Sequence, residues 1–109
     1  YKNLILCFNG EIYNYKSLRA ELIKEKKIKF KTSSDTEVLI KLIYYCGLQK
    51  ALEKIEGMWA FSLYNTINEN LTVCRDRFGE KPLLYFKDKN NFFFSSELPA
   101  FKIFLKKKI

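Results

Sequence analysis

The sequence predicts an α+β fold, an antiparallel sheet with helices packed against it. Two observations lead there. The first half alternates strand-like and helix-like stretches, while the second half pairs strand-like stretches across short polar turns. Turns that short make hairpins and leave no room for parallel crossovers. The chain has 109 residues, of which 48% are hydrophobic and 17% aromatic, enough for one domain with a modest core. No internal repeat or low-complexity segment interrupts it.

The apolar run Leu4-Ile5-Leu6-Cys7-Phe8 reads as a strand buried on both faces. Asn14 is placed to cap a helix over Tyr15 to Lys26, with Leu18, Leu22 and Ile23 forming its apolar side. Ile28 and Phe30 suggest a short strand, followed by the polar loop Thr32-Ser33-Ser34. Ser34-Asp35-Thr36-Glu37 then has the form of a capping box before an apolar run. Val38, Leu39, Leu42, Ile43 and Cys46 share one side of that second helix, which Gly47 ends. Leu48 to Ile55 adds a short helix. Met58 to Tyr64 and Leu71 to Cys74 form a hairpin around the polar turn Asn65 to Asn70. Leu83 to Phe86 and Phe92 to Ser95 form another around Asp88-Lys89-Asn90-Asn91. A last helix spans Glu97 to Leu105, interrupted early by Pro99.

The formal net charge is +8, supplied mostly by lysines scattered along the chain, with clusters at Lys26-Lys27 and Lys106-Lys107-Lys108. Arginine is the commonest reader of bases, and only Arg19, Arg75 and Arg77 are present. A solvated basic surface is therefore expected, and no nucleic-acid partner. No apolar stretch has the length of a membrane span, so no membrane partner is expected either. The three cysteines, Cys7, Cys46 and Cys74, form no CxxC pair, and histidine is absent. That excludes a Cys/His zinc site and a Cys–His dyad built from this chain, and no metal is expected. Three buried thiols in a reducing compartment, the cytoplasm, is the plain expectation.

Asn9-Gly10 carries two readings. The dipeptide is the strongest short hairpin signal, so it reads as a tight turn. It also places an amide side chain beside a glycine N–H, the two donors that a developing oxyanion needs. Glu11 on its own reads as an exposed strand-end residue. Asp35 reads as a carboxylate facing a helix N-terminus. Arg75-Asp76-Arg77 reads as an ion-pair cluster entering the Gly79 turn, or as a boundary with a partner domain.

FNGEIYNYKSLRAEL, SSDTEVLIKL, EGMWAFSLYN, CRDRFGEKPLLYF and FSSEL occur here in that order. Together these blocks, covering almost the whole chain, resemble the glutamine amidotransferase domain of glutamine-hydrolysing asparagine synthetases. Phe8 before Asn9, Glu11 after Gly10 and the RDRFG-x-KPL block distinguish this branch from sugar-phosphate amidotransferases. Glu80 departs from the pattern, which has an aliphatic residue there. The resemblance implies an N-terminal-nucleophile hydrolase fold, a four-layer αββα sandwich, here partial and lacking its N-terminal strands.

It also implies a mechanism. A cysteine at the mature N-terminus attacks the glutamine side-chain amide, and the chain's own α-amino group serves as base. Asn9 and Gly10 match the oxyanion hole, through the side-chain NH₂ and the backbone N–H. Asn9, Gly10, Glu11 and Asp35 match the glutamine-binding positions, with Asp35 facing the α-ammonium group. Cys7 and Cys74 do not match the nucleophile. The nucleophile segment is expected upstream of Tyr1 and a synthetase domain downstream of Ile109. That domain would use ATP and Mg²⁺ to amidate aspartate with the ammonia. The sequence as it stands is expected to be a glutaminase fragment of 1–109, inactive alone. The alternatives are a binding or regulatory module of the same fold and an amidotransferase with another acceptor.

Overall fold

The computed structural model describes residues 1–76, 84–87 and 92–95, the last two segments as backbone. The elements follow in the order β1 (Leu4–Ile12), α1 (Tyr15–Lys26), α2 (Asp35–Cys46), α3 (Leu48–Lys54), β2 (Gly57–Asn65), β3 (Asn70–Arg75), β4 (Leu84–Lys87) and β5 (Phe92–Ser95). β1, β2 and β3 form one antiparallel sheet in that order, and β4 pairs with β5 in a second. This is the expected α+β arrangement. The final helix expected over 97–105, and the residues Arg77, Gly79 and Glu80, lie outside the described residues.

The core lies between the sheet and the helices. Leu4 and Ile12 from β1 meet Val38, Leu39, Leu42 and Ile43 from α2, with Leu18 and Leu22 of α1 and Ala51 of α3 closing the cluster. α2 is the central helix, touching α1, α3 and β1. Its apolar stripe is the one written in the sequence, and Gly47 ends it by donating its N–H to Ile43 O at 2.9 Å with φ of +89°. Ile23, by contrast, is exposed and adds nothing to the stripe of α1.

Several expectations change. β1 is not buried on both faces. Its side chains alternate, with Leu4, Leu6, Phe8 and Ile12 turned to the helices and Ile5, Cys7, Asn9 and Glu11 exposed on the opposite, outer face. The thiols follow the same division: Cys7 is exposed, while Cys46 and Cys74 are half-buried. Ile28 and Phe30 form no strand. Ile28 is buried and Phe30 packs against the core from an irregular segment. There the Lys29 carbonyl accepts a 2.6 Å bond from Lys41 Nζ, so it is satisfied without a strand partner.

The capping box forms by halves. Ser34 Oγ accepts from Thr36 N–H at 3.0 Å, whereas Glu37 reaches back past Ser34 to the N–H groups of Lys31 and Thr32. Asn14 occupies the N-cap position of α1 without capping it. Its side chain instead donates to Lys54 O at 2.8 Å and accepts from Glu56 N–H at 3.0 Å, tying the start of α1 to the α3–β2 junction.

Candidate functional site

β1 runs straight through Asn9-Gly10, so there is no tight turn at that dipeptide. Asn9 pairs with Ala60, Gly10 with Trp59, Glu11 with Met58 and Ile12 with Gly57. A type I′ turn needs positive φ at both central residues. Gly10 has φ of +146°, and Asn9 is not among the positive-φ residues. A Cβ on Gly10 would overlap the Met58 carbonyl and lie 2.6 Å from Trp59 Cα. Glycine is needed there because β2 passes too close for any side chain.

Hydrogen-bond alternation gives the edge of β1 its direction. Tyr13 N–H donates to Glu56 O at 2.6 Å, and Thr66 N–H donates to Asn3 O at 2.9 Å. In an antiparallel pair, alternate residues bond the partner and those between turn their N–H away. Odd-numbered residues of β1 therefore bond β2, and even-numbered ones face the other edge. Ile12 bears this out, since its N–H is taken at 3.0 Å by Asp35 Oδ2. By the same alternation the Gly10 N–H is directed off the sheet beside Ile12. The exposed side chains of Asn9 and Glu11 stand on the outer face on either side of it.

Asp35 is the first residue of α2, so the helix N-terminus favours its charge. Because one of its oxygens is fixed on Ile12 N–H, α2 and the end of β1 are joined at the residue after Glu11. The four candidates from the sequence thus gather at one strand end: Asn9, Gly10 and Glu11 in succession, and Asp35 bonded to the next backbone N–H. None of them lines either of two cavities among the described residues. The cavity of about 460 Å³ between β1 and α2 is lined by Leu6, Thr32, Ser34, Thr36, Glu37 and Lys41 among others. Another, of about 570 Å³, lies by Ile55, Trp59 and Arg75.

Two groups near it are structural. Asp76, only 4% exposed, accepts from Trp59 N–H at 3.0 Å through Oδ2, and its own N–H donates to Trp59 O at 2.8 Å. The Asp76 carboxylate thus braces β2 directly opposite Gly10. The expectation of an ion-pair cluster at Arg75-Asp76-Arg77 named the residue but not this backbone role. Burial pushes the Cys74 thiol up, which makes it a poor nucleophile.

Sequence reasoning missed Lys41. It is buried, with Nζ held by Glu37 Oε2 at 2.8 Å and Lys29 O at 2.6 Å, and lies over the rings of Phe30 and Tyr1. Its spacing of four from Glu37 was the available signal. Burial would raise the Glu37 carboxyl, but the bonds from Lys41, from the Thr32 hydroxyl and from the Lys31 and Thr32 N–H groups prevail. They hold it at about 2. This network fixes the loop that delivers Asp35. Among the described residues no helix is long and apolar enough to cross a membrane. Nor do three or more His, Cys, Asp or Glu among them gather to hold a metal ion.

Comparison with known proteins agrees with the arrangement of motifs. The glutamine amidotransferase domain family matches residues 1–108. "Asparagine synthetase [glutamine-hydrolyzing] 1" of Bacillus subtilis is 45% identical over 92 residues, 84% of this chain and 14% of its own length. "Asparagine synthetase [glutamine-hydrolyzing] 2" of the same organism is 38% identical over 98 residues, 90% of this chain and 13% of its own length. A Methanocaldococcus jannaschii protein is 40% identical over 96 residues, covering 88% of this chain and 18% of the relative. The chain thus spans less than a fifth of the length of these relatives. With residues 1–108 matched by the family and these identities over most of its length, the chain belongs to the glutamine amidotransferase domain family.

Proposed function

We propose that the chain is the glutamine-hydrolysing portion of an asparagine synthetase, supplying the oxyanion donors and the carboxylates that hold glutamine. One observation supports this reading above the others. At the end of β1 the Gly10 N–H is directed off the sheet between exposed Asn9 and Glu11, and Asp35 is bonded to Ile12 N–H at 3.0 Å.

Attack of a thiolate on the side-chain amide carbon of glutamine turns its carbonyl oxygen into an oxyanion. Two donors fixed beforehand stabilise charge that exists only after the attack has begun, which is the requirement for raising kcat. Asn9 Nδ2–H and Gly10 N–H are those donors. Gly10 belongs to a paired strand, so its N–H needs no reorganisation. Asp35 spends Oδ2 on Ile12 and keeps Oδ1 for the substrate α-ammonium, while Glu11 offers a second carboxylate. Collapse of the intermediate expels ammonia, with the proton supplied by the nucleophile's own α-amino group. The resulting thioester is hydrolysed by water to glutamate.

The thiolate belongs to a cysteine at the N-terminus of the mature protein, and Cys7 and Cys74 take no part. The fold is then the αββα sandwich of N-terminal-nucleophile hydrolases, with β1-β2-β3 as one of its two sheets and α1 to α3 in one outer layer. The ammonia passes to a synthetase domain of the same protein, in the cytoplasm, where ATP and Mg²⁺ serve aspartate amidation. No step within this chain runs through either of them.

The test is steady-state kinetics of the intact enzyme with glutamine and with free ammonia. Asn9→Ala should lower glutamine-dependent kcat by about 10²–10³ with little change in KM, leaving ammonia-dependent synthesis intact. Cys7→Ser should leave both activities unchanged. Normal glutamine turnover per folded Asn9→Ala molecule, or loss of it in Cys7→Ser, would overturn the reading.

A further inference from the structure

The three-residue stretch that carries the candidate site is backed by a glycine outside it. Gly57 opens β2 with φ of +153° and pairs with Ile12. A Cβ built on it would overlap the Glu11 carbonyl oxygen and lie 3.1 Å from Ile12 Cα. Its neighbours are therefore the backbones of the two residues that join the candidate carboxylates: Glu11 itself, and Ile12, whose N–H carries Asp35.

The arrangement is reciprocal. Gly10 on β1 faces the Met58 carbonyl, and Gly57 on β2 faces the Glu11 carbonyl. Glu11 and Met58 are paired in the register, so one glycine lies on each side of that pair, on opposite strands. Both have φ near +150°, a conformation that side chains rarely adopt. Together they let two backbones approach more closely than side chains permit. The approach fixes Glu11 against β2 from behind while its side chain stands on the outer face.

We infer that Gly57 is a positioning residue for glutamine binding, setting the distance between Glu11 and Asp35 without touching substrate. The inference rests on the glutamine-hydrolysing reading of the site. A side chain at Gly57 must push back the Glu11 carbonyl or move β2. Either shift moves Ile12 N–H relative to Asp35 Oδ2, and with it the separation of the two carboxylates. Displacements of about 1 Å at a positioned group cost on the order of 10²-fold in rate, so a change of this kind is large on the scale of binding.

Gly47 provides the control. It also has positive φ, +89°, yet a Cβ there meets nothing within 4 Å. Gly47→Ala therefore carries backbone strain of a similar kind without pressing on β1. In the intact enzyme, per folded molecule, Gly57→Ala should raise KM for glutamine about tenfold or more, and Gly47→Ala should leave it within about twofold. Ammonia-dependent activity should be normal in both. A Gly57→Ala enzyme with unchanged KM, alongside a Glu11→Gln enzyme with raised KM, overturns the inference and leaves the site reading standing. Unchanged KM in Glu11→Gln and unchanged turnover in Asn9→Ala overturn the site reading itself.

Hydrogen exchange of the unsubstituted enzyme gives a second measurement should Gly57→Ala fail to fold. Added glutamine should protect peptides spanning 9–13 and 56–60 alike and leave 47–51 unchanged. Protection of 9–13 without 56–60 overturns the inference.

Discussion

Asp35 carries two roles on two oxygens. Oδ2 holds Ile12 N–H at 3.0 Å, and the proposed substrate contact falls to Oδ1. The two roles separate by substitution. Asp35→Asn keeps a carbonyl oxygen for Ile12 N–H and loses the charge, so KM for glutamine should rise roughly 10- to 100-fold, the worth of a charge-assisted bond, while kcat stays near normal. Asp35→Ala loses the anchor as well, so kcat and Tm should fall with it. Identical kinetics and melting for the two variants would remove the anchoring role. From the sequence Asp35 was legible as a helix-start carboxylate, because Ser34 and the apolar run mark the helix. Its bond to Ile12, 23 residues away, was not, because long-range pairing has no local signature. Asn9-Gly10 shows the opposite failure. Its local signature is that of a turn, and pairing with β2 along the whole of β1 overrides it.

At the scale of elements, α2 was readable because burial and helical period agree at Val38, Leu39, Leu42 and Ile43. The loop before it was not. Ile28 and Phe30 have strand-like alternation, but Lys41 and Glu37 take the backbone groups that a neighbouring strand would have used. Glu37 is the keystone of that loop, and its titration can be followed. Its carboxyl is held at about 2 against an ordinary 4.5. A depressed carboxyl contributes stability that is fully present above the ordinary value and is lost as pH falls through the folded one. The Tm gap between the native protein and Glu37→Gln should therefore be constant above pH 4.5 and close as pH falls toward about 2. A gap that does not change over that range would mean that the charge on Glu37 adds nothing. Removing the carboxylate also takes from Lys41 its charged partner and leaves it Lys29 O and the rings of Phe30 and Tyr1, so Glu37→Ala should cost roughly 1.5–3 kcal/mol, the worth of a hydrogen bond to a charged group.

For the molecule as a whole, two tendencies oppose each other. The net charge of +8 repels copies of the chain from one another. The outer face of the sheet attracts them, since Ile5 is 56% exposed and Leu71 is 45% exposed. Ile5 and Leu71 both lie opposite Tyr64 in the register, so the three form a row across β1, β2 and β3. β1 is the end strand of this sheet among the described residues, with alternate N–H groups turned outward. Such an edge and face together favour association. Salt decides between the two tendencies, because charge repulsion is screened over about 10 Å at 0.1 M while apolar contact is not. The chain 1–109 alone should therefore be closest to monomeric in dilute buffer, and its weight-average mass by light scattering should climb as salt is raised. Ile5→Lys places a charge at the β1 end of that row and should suppress the climb. A chain that stays monomeric at every salt concentration would show that the outer face is not a contact surface. Association unchanged by Ile5→Lys would place the contact elsewhere on the molecule.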